Sequence, residues 1–148
     1  PRFLLNLINQ CKSFAVNLNH SIIEEEDIEK GLAAYSTDLL SDINYELQDV
    51  SPQYKDVLYA FIDHTAEAPE ELFQASLSDY LNQEGVADVI ELLLWYGFIG
   101  IRADHTDVKY IYDFNYDMNL LKGIMAKQRP ELVLAINPAF WNGLLIKP

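Results

Sequence analysis

The chain is poor in cysteine and in positive charge: 148 residues contain one Cys, Cys11, and ten Lys and Arg against 23 Asp and Glu. One thiol cannot form an internal disulfide, and a domain of this length needs none, which points to a reducing compartment and a cytoplasmic setting. The formal net charge is −13. Nucleic acid and anionic membranes attract basic surfaces, so this balance counts against a generic polyanion binder. Long apolar runs are lacking too. The stretch Val89 to Gly100 is broken by Glu91 and falls short of the roughly 20 residues of a membrane-spanning helix. Neither an initiator Met nor a signal-peptide pattern opens the chain, and a helical pattern that begins at once predicts a piece of a longer polypeptide.

Catalytic motifs are also missing. No G-x-x-x-x-G-K-[ST] loop, G-x-S-x-G elbow or H-E-x-x-H pair occurs in the sequence. Cys11 has no His at helical spacing to activate it and reads as a small buried hydrophobe. Asp104, His105 and Asp107 fall within four residues, but a hairpin tip needs the same polar types for its turn, so no metal is expected there. Asp63-His64 reads as a cation at the negative end of a helix dipole rather than a catalytic pair.

Half of the residues are apolar, enough for one ordinary domain or two small ones. Phe3, Leu4, Leu7, Ile8, Cys11, Phe14, Ala15 and Leu18 recur at the helical period and predict a first helix. Glu24-Glu25-Glu26-Asp27 suit the positive end of a second, running to about Asp49 with a buried stripe of Ile28, Leu32, Tyr35, Leu39, Ile43 and Leu47 and with Gly31 tolerated inside it. Ser51-Pro52 is a helix-start signature for a third helix holding Tyr54, Val57, Leu58, Phe61 and Ile62. Ala66 to Pro69 breaks the chain, a short helix then stops before Gly85, and Val86 to Tyr96 predicts a helix buried on most sides and ended by Gly97. Residues 98–102 and 108–114 predict a two-stranded hairpin, supported by the alternation of Tyr110, Tyr112 and Phe114. A helix at Met118 to Lys127, a strand at Leu132 to Ile136 and a last helical turn from Asn137-Pro138 complete the pattern.

Helix, short helix, buried helix and hairpin is the element order of a winged helix. The fold class expected is therefore mainly α with a small β-hairpin: a helical lid-like subdomain over 1–50, a winged-helix-like domain over 51–116, and a C-terminal extension over 117–148 packing on it.

The segments Pro1-Arg2-Phe3-Leu4-Leu5 and Ile23-Glu24-Glu25-Glu26-Asp27-Ile28-Glu29-Lys30-Gly31-Leu32 resemble the C-terminal helical lid of AAA-type and signal-transduction P-loop ATPases, and the following stretch resembles the winged helix that often succeeds it. The resemblance implies a lid arginine on nucleotide phosphate, matched by position by Arg2, whose guanidinium can clamp phosphate bidentately. ATP and Mg would belong to a parent ATPase; with no phosphate-binding loop, this chain is expected to be non-catalytic and to hold no cofactor of its own.

A winged helix reads DNA with Arg, Lys, Asn or Gln on its third helix. Val86 to Gly97 has no Lys or Arg, and residues 51–116 hold three basic and twelve acidic side chains. Only Arg102, Lys109 and His105 on the wing could reach a duplex, so a nucleic-acid-binding module is the disfavoured alternative. A protein partner with a basic surface is expected instead, in a regulatory and interaction region of a bacterial P-loop ATPase. Aromatic side chains accumulate after Gly97, and Tyr110, Tyr112 and Trp141 are the interface candidates.

Overall fold

The computed structural model describes residues 2–102 and 107–148, with the backbone alone at positions 2 and 3. The chain is mainly helical with a small antiparallel sheet. Helix α1 spans Arg2–Asn17 and α2 spans Glu25–Val50, and the two pack on each other as an antiparallel hairpin. Strand β1 (Glu67–Pro69), α3 (Glu70–Ser78), α4 (Gln83–Trp95), β2 (Ile99–Arg102) and β3 (Val108–Lys109) follow, then α5 (Met118–Gln128), β4 (Val133–Ile136) and α6 (Trp141–Leu144). One apolar core runs from Ile43 and Leu47 of α2 through Phe61, Phe73, Leu93 and Phe98 to Leu134 and Leu144.

Side-chain caps set several boundaries. Asn82 Oδ1 accepts from the Gly85 N–H at 2.8 Å to begin α4, and Asp117 Oδ1 accepts from the Leu120 N–H at 3.0 Å to begin α5. Gly85, expected outside a helix, lies in the first turn of α4. Gly97 does end α4, with φ at +70°, a conformation that favours glycine.

The sheet order is β1-β4-β2-β3. β4 pairs antiparallel with β1, Ala68 opposite Leu134, and with β2, Gly100 opposite Ala135. The stretch expected to break the chain at Ala66 to Pro69 thus supplies an edge strand, and the residues after 117 supply an inner one. Asn137 ties the end of β4 to the end of α4, its Nδ2 donating to the Gly97 carbonyl at 3.1 Å.

Three expectations are corrected. The helix predicted from Ser51-Pro52 is instead two 3₁₀ turns, Pro52–Tyr54 and Val57–Phe61. Between them Asp56 turns left-handed at φ 61°, held by Asn44 of α2, which accepts from its N–H at 2.9 Å and donates to its carboxylate at 3.1 Å. The second hairpin strand stops at Lys109, and Ile111–Phe114 is a 3₁₀ turn. There the Tyr110 N–H donates to Asp113 Oδ2 at 2.8 Å, a local side-chain bond that outcompetes strand pairing. Third, the buried stripe of α2 begins with Asp27, Gly31 and Ser36, while Ile28 and Leu32 are exposed. The reason is close approach: a Cβ on Gly31 would fall 2.4 Å from Cys11 Sγ, so α1 sits against the small residues and the aliphatic stripe turns outward.

Candidate interaction surfaces

The α1–α2 hairpin is closed at its tip by charge. His20, in the connecting loop, has Nδ1 at 2.9 and 3.1 Å from the two carboxylate oxygens of Asp27, whose side chain is fully buried. Asp27 also accepts from the Glu24 N–H at 2.8 Å, so one carboxylate both starts α2 and fastens the loop. The hydrogen bond to Asp27 holds the His20 imidazolium above its ordinary range. Burial pushes the Asp27 carboxyl up, but the Glu24 N–H and His20 together bring it below the ordinary carboxylate range. Sequence reasoning assigned the acidic run only to the helix dipole. The spacing of Asp27 three residues after Glu24 was the available signal.

On the hairpin's outside, much of the expected core face of α1 is open. Cys11 and Ala15 are buried, but Leu4 is 60 % and Ile8 46 % exposed, and Leu5, Val16, Ile22, Ile23, Ile28 and Leu32 are exposed with them. Helical spacing sets Leu4 and Ile8 on one face of α1 and Ile28 and Leu32 on one face of α2. Arg2 begins α1; its side chain lies outside the described part.

Tyr110 and Tyr112 stack with ring centroids 5.4 Å apart. Tyr110 lies over β2, where a Cβ on Gly100 would come within 2.7 Å of its ring, and burial pushes its hydroxyl up to about 12. Tyr112 is the outer, half-exposed member of the pair. Trp141 is elsewhere, half-buried at the start of α6, with its indole N–H donating to the Ile136 carbonyl at 2.8 Å. The three interface candidates therefore form one pair and one isolated residue.

The wing residues considered for DNA are placed differently. Arg102 pairs with Glu67 of β1, Lys109 is exposed, and His105 lies outside the described residues, as does Asp104. Glu84, Asp88 and Glu91 are exposed on α4, and Lys122 of α5 meets Glu91 at 2.7 Å. His64 is packing rather than a dipole partner: its ring lies 4.8 Å from that of Phe73 and 5.7 Å from that of Phe61, and Nδ1 donates to the Thr65 carbonyl. Among the described residues no cluster of His, Cys, Asp and Glu could hold a metal ion, and no helix is long and apolar enough to cross a membrane.

A family model described as the FunZ-associated C-terminal helical domain matches residues 1–44, which is α1, the loop and most of α2. The chain is also similar to the putative transposon gamma-delta 80.3 kDa protein of Escherichia coli (strain K12), with 26 % identity over 160 residues that cover 97 % of this chain and 22 % of that protein. It spans about a fifth of that relative's length. No solved structure matches the chain.

Proposed function

We propose that this chain is a non-catalytic regulatory and protein-interaction region of a larger P-loop ATPase. The observation that carries the reading is the open apolar side of the α1–α2 hairpin, within the segment that matches the FunZ-associated helical domain. Exposing Leu4, Ile8, Ile28 and Leu32 to water is unfavourable, by about 25 cal/mol for each Å² that a partner surface would otherwise cover. A lid-like hairpin over 1–50 that docks on a neighbouring ATPase domain accounts for it. In this reading Arg2 contacts the nucleotide phosphate, ATP and Mg belong to the parent, the winged-helix-like part over 51–116 meets a neighbouring domain or subunit, and the residues after 117 support it. The exposed carboxylates of α4 oppose DNA binding, because phosphate attraction dominates affinity for a duplex.

The gene upstream of the Pro1 codon is expected to encode, in frame within a few hundred codons, a phosphate-binding loop and a βα pattern. A start codon immediately before Pro1 overturns the reading. Given the upstream domain, co-purification with this chain is expected, and Leu4→Glu with Ile8→Glu should abolish it while leaving the exposed-site variant folded. Arg2→Ala in the parent should weaken nucleotide binding about tenfold, the loss of one charge-assisted phosphate contact.

A further inference from the structure

Away from the hairpin, the last turns of α2, the Pro52–Tyr54 turn and α4 border an open groove of ≈ 260 Å³ lined by Val50, Tyr54, Asp88, Glu91 and Leu92. Its floor is apolar and partly wet: Val50 is 55 % exposed, and Leu92 is half-buried. Trp95, half-exposed, lies beside the groove one turn beyond Glu91 and Leu92 on α4 and packs edge-on against Tyr116 at 5.4 Å. Asp88, Glu91, Leu92 and Trp95 follow one another at the i, i+3, i+4, i+7 spacing of a single helix face. Glu46, Asp49 and Val50 share one face at the end of α2 at i, i+3, i+4.

The rim is acidic where fold stability would have it otherwise. Glu46 and Asp49 sit in the last turns of α2, which carry no basic residue, so both face the negative end of the helix dipole. Burial raises the Tyr96 hydroxyl, and Glu46 and Asp49 raise it further; Tyr54, which donates to Asp88 Oδ2 at 3.1 Å, is raised by burial and then by Asp88. Among the described residues no cation pairs with Glu46, Asp49, Glu84 or Asp88, and Glu91 alone meets Lys122. The carboxylates are too dispersed to hold one metal ion. They suit several cations carried on one scaffold, with apolar side chains between them.

We infer that this groove docks a basic amphipathic helical segment of a partner polypeptide, its aliphatic side chains on Val50, Leu92 and Trp95 and its Lys or Arg side chains on Glu46, Asp49, Asp88 and Glu84. The inference rests on the reading of the chain as an interaction region and names its second surface. The stripe from Glu84 to Trp95 runs about 16 Å, so the segment is about eleven residues long, three turns. Charge complementarity accelerates encounter and sets specificity, and the apolar floor retains the segment.

The test is fluorescence anisotropy of a labelled fourteen-residue peptide of Lys and Leu at amphipathic helical spacing, titrated with the full chain at low and at physiological ionic strength. Salt-weakened binding is expected, reduced at least tenfold by Glu46→Gln, Asp49→Asn and Asp88→Asn together. A charge-matched control, Glu29→Gln, Asp79→Asn and Glu131→Gln, should stay within twofold. The groove variant should also unfold at an equal or higher temperature than the wild type, which a purely structural role for these acids would not give. Equal losses in both variants, undiminished binding of a peptide with Ser for Leu, or no binding at all overturns the proposal. Absent peptide binding beside intact hairpin docking removes the groove and leaves the accessory reading. Failed hairpin docking beside intact peptide binding does the reverse.

Discussion

Replacing Gly31 by alanine sets two physical effects against each other with opposite signs. In an isolated helix the change is favourable by about 1 kcal/mol, because glycine loses more backbone freedom on becoming helical. In the folded chain the new Cβ would meet Cys11 Sγ at 2.4 Å, the Cys11 backbone N at 3.0 Å and its Cα at 3.2 Å. Two of these three are backbone-fixed atoms, so relief requires α1 to move off α2, and overpacking of this kind costs about 1 to 3 kcal/mol. The net expectation is destabilisation of about 0 to 2 kcal/mol, concentrated in the hairpin, since α1 packs mainly on α2. Urea unfolding followed by circular dichroism reads the total, and hydrogen exchange of α1 amides reads where it falls. Cys11→Ala removes the closest atom, so the double variant should be more stable than the sum of the single effects predicts by about 0.5 kcal/mol or more. If Gly31→Ala alone raises stability by the full helix-propensity gain, the close-approach argument fails, and with it the account of why Ile28 and Leu32 face outward.

Trp141→Phe takes the indole donor from the Ile136 carbonyl and should destabilise the fold by about 1 to 3 kcal/mol in urea unfolding; an effect near zero would mean the bond is dispensable. Gly100→Ala brings a Cβ within 2.6 Å of the Lys109 carbonyl oxygen and should cost about 1 to 3 kcal/mol, with a changed near-ultraviolet tyrosine signal as Tyr110 is displaced. The hairpin tip should be pH-dependent on both sides. His20 is raised above its ordinary 6.5, so its contribution is complete below that value and is lost as pH rises through its folded value. Asp27 is lowered below its ordinary 3.8, so its contribution is complete above that value and is lost as pH falls through its folded value. Hydrogen-exchange protection of α1 should therefore be greatest between about pH 4 and 6.5, and His20→Asn should flatten the alkaline limb, while an unchanged profile would refute the pairing.

What the sequence by itself determined is where α1, α2, α3, α4 and α5 fall along the chain, though not the 3₁₀ turns in place of a helix after Ser51 or the start of α4 ahead of Gly85. The 3.6-residue recurrence of apolar side chains marked α1 and α2, the nearly continuous apolar run from Val86 marked α4, and Gly97 marked its stop, because these signals are local to the backbone that obeys them. The charge balance that disfavours DNA needed no coordinates either. Only tertiary structure decided which face of each helix is covered. The aliphatic stripes of α1 and α2 look like core in one dimension, yet the contact between the helices is made by Cys11, Ala15 and Gly31, since small side chains allow closer approach than large ones. Tertiary ties also overruled local preference. Asn44, twelve residues away, turns Asp56 left-handed and splits a predicted helix, and Asp113 folds a predicted strand into a turn. The sheet is the least local feature: Ala68, Leu134 and Gly100 come from three separated segments, and their pairing is set by the shared core beneath them. The groove beside Val50 and Asp88 belongs to the same class, because α2 and α4 carry its two walls and neither sequence pattern alone reports the other.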